Sequence, residues 1–220
     1  VNMDRMFANA ANFIANDLFN WNISNVTSHQ DFASGWGHNS IEPNWDGVHK
    51  VDNTLGFKLV IAGANFSFLN DYFKPVYDYN YTVDCDSDGL PDIIDHDGGY
   101  ECIYPYAGDH LLTIIGDLPY FRADEASKNK VRYIAQWGDS KWQDLSSTFA
   151  GVAYLLDSNA SAGLPDLSEV TDMSSMFDGA TSFDAILDDW NTSSAVNMDR
   201  MFANAANFIA NDLFNWNISN

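Results

Sequence analysis

Basic residues are scarce in this chain of 220 residues. It contains 10 lysines and arginines against 31 aspartates and glutamates, which gives a formal net charge of −21 at pH 7. Nucleic acids and anionic membranes are bound through clustered Lys and Arg, so this balance disfavours both as partners. No apolar run approaches the ~18 residues that a membrane-spanning helix needs. The acidic surface fits either contact with divalent cations or simple solubility.

Recognisable catalytic motifs are also missing. The sequence has no Gly-x-Ser-x-Gly motif, no His-Glu-x-x-His motif and no phosphate-binding glycine loop. Its five histidines lack the spacing of metal ligands. An acidic pair such as Asp188 and Asp189 could resemble a glycosidase dyad, but a solvated acidic face is the simpler interpretation. We therefore predict that the chain is not an enzyme.

Internal repetition is the most prominent feature that the chain does have. Residues 196–220 are identical to residues 1–25, at a displacement of 195 positions. The related block 170–195 shares fewer than half of its positions with them. Ordinary repeats have therefore diverged while this pair has not. The identity of the two segments predicts that the chain is one period of a longer structure. That structure is either a tandem array with a 195-residue period or a polymer whose units overlap.

The repeats align on one column, and its spacing along the chain is 25 to 28 residues. The column residues are Leu145, Met173, Met198 and His29. The residues before them are helix N-cap types, namely Asp144, Asp172, Asn197 and Ser28. The residues six positions after them accept a positive φ, namely Gly151, Gly179, Asn204 and Gly35. We therefore predict a short amphipathic helix and a short strand in each repeat, as in a leucine-rich-repeat-like solenoid.

Residues 55–118 have a different character. LGFKLVIAG, ANFSFL, DYNYTV and GYECIYPY are typical of strands, and HLLTIIGD is a short apolar run. Short strands separated by turn residues predict a small antiparallel β-sandwich. The predicted fold class is therefore α+β, a small sandwich joined to a strand/helix solenoid. Its predicted domains are the end of a solenoid (1–37), a linker or cap (38–54), the sandwich (55–118) and further solenoid repeats (119–220).

Two blocks resemble known families. VTDMSSMFDGATSF and VNMDRMFANAANF…DLFNWNISNVT resemble the BspA-like surface-protein repeats of bacteria over residues 133–220 and 1–35, although His29 and Phe32 replace a Met pair and Pro165 replaces a Trp. DYNYTVDCDSDGLPD and YPYAGDHLLTIIGDLPYF resemble a polycystic-kidney-disease-type Ig-like sandwich over about residues 55–120. These resemblances imply extracellular placement, adhesion or scaffolding, and no catalysis.

An acidic segment between two of the predicted strands has the spacing of a calcium loop. Asp84, Asp86, Asp88, Asp92 and Asp95 occupy positions 1, 3, 5, 9 and 12, and a glycine stands at position 6. Position 12 is Asp where an EF-hand has Glu, and no helices flank the loop. Calcium is therefore a candidate cofactor, and an acidic hairpin turn without metal is the other interpretation that the sequence leaves open. Asp97 could join a second, weaker site.

The remaining candidate sites are covalent modifications and exposed aromatic residues. Cys85 and Cys102 flank the acidic loop, and a disulfide would close its base if their strands pair; two buried free thiols are the alternative. Trp36 and Trp45 lie outside the repeat columns and are candidates for contact with a sugar or a partner subunit. Seven Asn-x-Ser/Thr sequons are candidate glycosylation sites: Asn22, Asn25, Asn65, Asn80, Asn159, Asn191 and Asn217.

Two functions fit these features. The first is a non-catalytic structural protein, extracellular or on the cell surface, that forms one 195-residue period of a filament or tandem-repeat array. Its partners would be copies of itself, joined head to tail or covalently. The alternative is a surface adhesin that binds glycan or host protein, with or without calcium. Long particles in electron microscopy would favour the first, and EDTA-sensitive ligand binding would favour the second.

Overall fold

The computed structural model describes residues 2–6, 27–28, 55–156, 162–209, 213 and 216. The chain forms two units. The first comprises Val1–Lys50 with Asp88–Leu90, and the second comprises Val51–Ser87 with Pro91–Asn220. In the first unit the described residues include part of one repeat. The second unit contains a β-sheet followed by stacked repeats.

The sheet of the second unit has five strands, and every neighbouring pair is antiparallel. The strands are β1 (Phe57–Phe68), β2 (Asn80–Asp84), β3 (Ile93–His96), β4 (Tyr100–Asp117) and β5 (Val131–Gln136), and a 3₁₀ helix at Lys128–Lys130 precedes β5. Their order in the sheet is β3-β2-β4-β1-β5. The two longest strands, β1 and β4, are therefore neighbours.

A bulge lets β1 and β4 continue where the sequence predicted two shorter strands each. Their register shifts between Gly63 and Asn65, and Gly63 has a φ of 116°. A residue with a Cβ rarely adopts this conformation, so glycine is required here. Alternating residues are buried on both sides of the bulge, for example Leu59 and Phe66. The strand therefore bends and does not end.

The predicted α+β fold class is wrong, because the described residues contain no α-helix and their strands form one sheet, not the two of a sandwich. The chain after β4 covers the sheet instead. The buried ring of Phe57 lies 5.3 Å from that of Phe121 and 5.0 Å from that of Trp142, between ring centroids. Aromatic residues in irregular segments thus supply the layer that a second sheet would have supplied. In the described part of the chain, no helix is long and apolar enough to cross a membrane.

The predicted helices of the repeats are replaced by successive turns. Ser147, Ser175 and Arg200, each two positions after the repeat column, have φ values of 58°, 55° and 59°. A left-handed residue interrupts a right-handed helix, because its backbone cannot continue the i→i−4 hydrogen bonds. The chain instead forms i→i−3 bonds, such as those from Met176 to Met173 and from Met201 to Met198. The solenoid of helices was therefore an incorrect prediction.

Two features of the predicted repeat are present. The residues expected to have a positive φ do so, with values of 72° at Gly151, 76° at Gly179 and 58° at Asn204. Most residues expected to form the core are buried, while Met198, Phe202 and Ala205 of the later repeat are half-buried. Among the buried ones, Leu145, Met173, Met176, Phe177 and Ala180 are 0% exposed. The predicted period and most predicted inward-facing positions are therefore correct, while the predicted local conformation is wrong.

Candidate functional site at the repeat junctions

Neighbouring repeats are joined by a backbone ladder in which four N–H groups of one repeat donate to the repeat that follows it. A few bonds run the other way, from Val196 and Asn197 to Thr171 O and from Ser182 to Ala153 O. At the first junction the N–H donors are Leu145, Ser147, Phe149 and Gly151, and the carbonyl acceptors are Asp172, Ser174, Met176 and Asp178, at N···O distances of 2.7–3.0 Å. At the second junction Met173, Ser175, Phe177 and Gly179 donate to Asn197, Asp199, Met201 and Ala203 at 2.7–2.8 Å. The intervening N–H groups, such as that of Ala150, donate within their own repeat. Every second N–H therefore points to the next repeat.

The residues predicted as helix N-caps form a column of Asx turns. Asp144, Asp172 and Asn197 each accept, through Oδ1, the backbone N–H two positions later, at 2.7, 2.8 and 3.1 Å. Parallel bridges join Asp144 to Asp172 and Asp172 to Asn197. Asp and Asn suit this position because their short side chains bond their own backbone two residues on. The alignment column of the sequence is thus a physical column in the structure.

Aromatic rings stack along the same direction. The Phe149, Phe177 and Phe202 rings follow one another at centroid distances of 5.8 and 5.6 Å, with interplanar angles of 11° and 8°. Trp190 and Trp216 stack at 6.5 Å with an angle of 10°. Phe177 is fully buried between its neighbours, while Phe202 is half-buried. Each repeat therefore contributes one Phe ring to a stack that continues into the next repeat.

A partly buried ion pair holds the first repeat against the connection between β1 and β2. Lys74 Nζ lies 2.6 Å from Asp144 Oδ2 and donates to Ser146 Oγ at 3.0 Å, and the Tyr77 hydroxyl donates to the same carboxylate oxygen at 2.9 Å. Burial alone would raise the pKa of Asp144, but the hydrogen bonds from Lys74 and Ser146 outweigh burial and lower it. Burial and the Asp144 carboxylate raise the pKa of Tyr77 to about 12, so its hydroxyl stays a donor.

A second ion pair links the following two repeats. Arg200 donates to Asp178 Oδ2 from Nη2 at 2.7 Å and from Nε at 3.1 Å, and Asn204 donates to Asp178 Oδ1 at 2.9 Å. These hydrogen bonds, that from Arg200 above all, lower the pKa of Asp178. The pair is partly exposed, so its contribution to stability is below about 1 kcal/mol. Its role is to fix the register of neighbouring repeats.

The described repeat of the first unit has the same geometry as its identical copy. Asn2 Oδ1 accepts the N–H of Asp4 at 2.7 Å, and Arg5 has a φ of 56°. Met3 N–H donates to Ser28 O at 2.8 Å, and a parallel bridge joins Asn2 to Ser28. The carbonyl of Ser28 therefore accepts the N–H of Met3 as the carbonyl of Asn197 accepts the N–H of Met173. Ser28 thus provides the first rung of the same kind of ladder.

The acidic loop contains two neighbouring carboxylates in the second unit. Oxygens of the buried Asp84 and the exposed Asp86 lie within 4.8 Å of each other. Asp92 Oδ2 accepts the N–H of Cys85 at 2.7 Å, and Asp95 is exposed with a φ of 50°. Asp88, which belongs to the first unit, accepts the N–H of Leu90 at 2.7 Å. Calcium binding at this loop stays a prediction.

The predicted disulfide is present and joins Cys85 to Cys102, whose Cα atoms lie 5.7 Å apart. Cys85 follows β2 and Cys102 lies in β4, and these two strands are neighbours in the sheet. The Tyr104 hydroxyl also donates to Cys85 O at 2.9 Å. The bond closes the base of the acidic loop, as its position in the sequence indicated.

The other predicted sites are only partly described. Of the candidate glycosylation sites, Asn80 is exposed at the start of β2, Asn191 Oδ1 accepts the N–H of Ser193 at 3.2 Å, and Asn65 lies in β1. Glycosylation at these three positions stays a prediction. The other candidates lie outside the described residues, and these are Asn22, Asn25, Asn159, Asn217, Trp36 and Trp45.

Lys74 and Tyr77 are the junction residues that the sequence analysis missed. Neither belongs to a repeat, and they lie about seventy positions before Asp144 in the chain. One signal existed. With 31 acidic and 10 basic residues, a lysine next to an aromatic-rich strand connection is a candidate partner for a buried carboxylate. Its partner could not be named without the fold.

These junctions define a repeat protein in which turn-rich repeats stack through a backbone ladder after a single β-sheet. The chain belongs to the family described as "Mycoplasma protein of unknown function, DUF285", whose model matches residues 1–54 and 120–220, more than half of the chain. The match leaves out residues 55–119, which contain β1 to β4. The family is associated with BspA-like surface repeat proteins, so the predicted resemblance of the repeats is confirmed at that level. No curated protein and no solved structure matches the chain significantly.

Proposed function

We propose that the chain is a non-catalytic structural protein of the cell exterior. It forms one 195-residue period of a filament or of a tandem-repeat surface array. Successive periods join where the repeat 196–220 of one corresponds to the repeat 1–25 of the next. The proposal includes the surface location and the scaffolding role that the BspA-like resemblance implies.

The observation that carries the proposal is the 195-residue identity combined with the direction of the ladder. Each repeat donates its alternate N–H groups to the repeat that follows it. In the first copy of the identical sequence, Met3 donates to Ser28 in the following segment. An identical sequence has an identical preference, so the repeat 196–220 favours the same kind of neighbour. Selection for one junction explains why this pair of repeats stayed identical while others diverged.

The aromatic column supports the same function. The Phe202 ring lies 5.6 Å from Phe177 and stacks on Phe208 at 4.1 Å, yet it stays half-buried, so part of its surface is left for an apolar side chain of a further repeat. Charge repulsion limits uncontrolled association, because the chain has a net charge of −21. Assembly would then depend on the specific ladder and ring contacts and not on general apolar adhesion.

Electron microscopy of the purified native protein tests the proposal. We expect particles several units long with a regular axial spacing, either as covalent tandem chains or as assemblies. Denaturing mass analysis separates these two, since covalent chains keep a high mass. Phe202→Asp should shorten assembled particles, while Ile94→Asp, at a site 59% exposed on β3, should not. Dispersed single chains of 24.5 kDa, with no longer parent chain, would exclude the proposal.

A further inference from the structure

The two identical segments of the chain have different surroundings. Met6 and Met201 hold the same place in the same 25-residue sequence, yet Met6 is 51% exposed and Met201 is 3% exposed. The repeat that precedes Met201 lies against it, because Phe177 of that repeat donates its N–H to Met201 O at 2.8 Å. Repeat 1–25 therefore leaves uncovered a face that, in its copy, is covered by repeat 170–195.

Repeat 196–220 has the opposite uncovered face. Met198 and Phe202 are half-buried, whereas Met173 and Phe177, at the same positions of the preceding repeat, are 0% exposed. In that preceding repeat, the repeat that follows it supplies the additional cover. Among the described residues there is no backbone acceptor for the N–H groups of Met198, Arg200 and Phe202. This face therefore offers the donors of a further junction.

The two uncovered faces are complementary in their backbone groups. In the ladder between repeats 170–195 and 196–220, the donors lie zero, two, four and six positions after the column residue. The acceptors lie one position before the next column residue and one, three and five positions after it. The first three acceptor positions of repeat 1–25 are Asn2, Asp4 and Met6. Asn197, the copy of Asn2, accepts such a bond from the preceding repeat at 2.8 Å.

We propose, on the basis of the function proposed above, that two copies of the chain join noncovalently when repeat 196–220 of one stacks on repeat 1–25 of the other. The occupant of each uncovered face is thus a second copy, and the contact continues the ladder seen within the chain. Both identical segments are present at this junction, and neither replaces the other. The contact adds one junction to those within each copy and breaks none of them.

The proposed junction differs in charge from the one that precedes it. Ala203 holds the place of Asp178, so Arg5 of the second copy meets no carboxylate of the kind that binds Arg200. Each copy also has a net charge of −21, and the two copies repel each other at low ionic strength. Backbone hydrogen bonds and apolar contacts must therefore carry the junction. Added salt should strengthen the association by screening the repulsion, and an association that salt weakens would contradict the proposed contact.

Two substituted forms of the 220-residue chain test the contact by complementation. Met6→Asp places a charge on the uncovered face of repeat 1–25, and Phe202→Asp places one on that of repeat 196–220. Each form alone should be monomeric, because each contact would include one blocked face. Their equimolar mixture retains one intact pair of faces. Sedimentation velocity of the mixture should show dimers, with twice the 24.5-kDa mass of the chain, and nothing longer.

Controls separate the contact from general effects of the substitutions. Ile103→Asp, at a site 78% exposed on β4, should leave assembly of the chain unchanged. Ala205→Asp, in the same repeat as Phe202 and likewise half-buried, should give the same dimers when it is mixed with Met6→Asp. This second variant keeps the test valid if Phe202→Asp unfolds its repeat.

The outcomes distinguish this contact from the proposed function. A mixture that stays monomeric while the unsubstituted chain assembles would overturn the stacked contact, and so would an unsubstituted chain that stays monomeric. In either case, long native particles of high denatured mass would still support the proposed function through covalent tandem chains. Native material that consists of dispersed single chains would exclude the proposed function itself.

Discussion

Replacing Ser175 with glycine or alanine distinguishes the observed turns from a helix. Ser175 has a φ of 55°, its N–H donates to Asp199 O across a junction, and its carbonyl accepts the N–H of Asp178. Both replacements remove the hydroxyl, so its loss cancels when Ser175→Gly is compared with Ser175→Ala. The comparison therefore reports the backbone conformation alone.

The expected difference follows from backbone energetics. In the left-handed conformation a Cβ costs about 1–2 kcal/mol, while glycine loses about 0.5–1 kcal/mol more conformational entropy on folding than alanine. Ser175→Gly should therefore be more stable than Ser175→Ala by about 0.5–1 kcal/mol. In a helix the order would reverse, with alanine better by about 1 kcal/mol. The two conformations thus differ by about 1.5–2 kcal/mol in this comparison.

Chemical denaturation monitored by circular dichroism measures the difference as a shift in midpoint at constant slope. Ser174 is the matched control, because it precedes Ser175 in the same repeat and does not have a positive φ. There, alanine should be the more stable replacement by about 0.4–1 kcal/mol. Alanine preferred over glycine at Ser175 as well would refute the left-handed turn and favour the helix.

Three other perturbations test separate parts of the structure. Phe177→Ala should lower the free energy of unfolding by about 3–5 kcal/mol, because the ring is fully buried between repeats, while the half-buried Phe202 should lose less; equal losses in denaturation would contradict the ring column. Lys74→Met should destabilise by about 2 kcal/mol at neutral pH, because the Asp144 carboxylate loses its charged partner. The native pKa of Asp144 is lowered, so this contribution is present above the ordinary aspartate pKa and is lost as the pH falls through the lowered value. A destabilisation that stays constant in denaturation series down to acid pH would argue against that pair. For the acidic loop, calcium should raise the melting temperature of EDTA-treated chain, and Asp86→Asn should remove that rise; no shift at millimolar calcium would exclude the loop as a site.

The repeat period and the core could be predicted because they depend on side-chain chemistry that the sequence displays. Asp144, Asp172 and Asn197 are Asx-turn residues as readily as helix caps, and both interpretations place them at the start of a turn. Gly151 and Gly179 indicated positive φ through their lack of a Cβ. The Cys85–Cys102 bond followed from the pairing of the strands that carry the two cysteines.

The local conformation could not be predicted because nothing in Ser175 or Arg200 indicates a left-handed backbone. Ser175 adopts it with its N–H satisfied by Asp199 O of the next repeat, which is a contact between residues about 25 positions apart. Apolar residues at zero, three, four and seven fit a helix and a series of turns equally well. The single sheet was missed for a related reason, since Phe121 and Trp142 cover it from segments without strand periodicity.

The direction of the main ladder has a consequence for symmetry. After each Asx turn, one face of a repeat offers four N–H groups and the opposite face offers the carbonyl groups that accept them, so two like faces cannot form these bonds with each other. A two-fold, isologous contact through these faces is excluded, and only heterologous addition satisfies the backbone. Any assembly built through these junctions is therefore polar. All of its units face the same way, and its two ends differ chemically, because the four N–H groups after the Asx turn lack their acceptors at one end and the matching carbonyl groups lack their donors at the other.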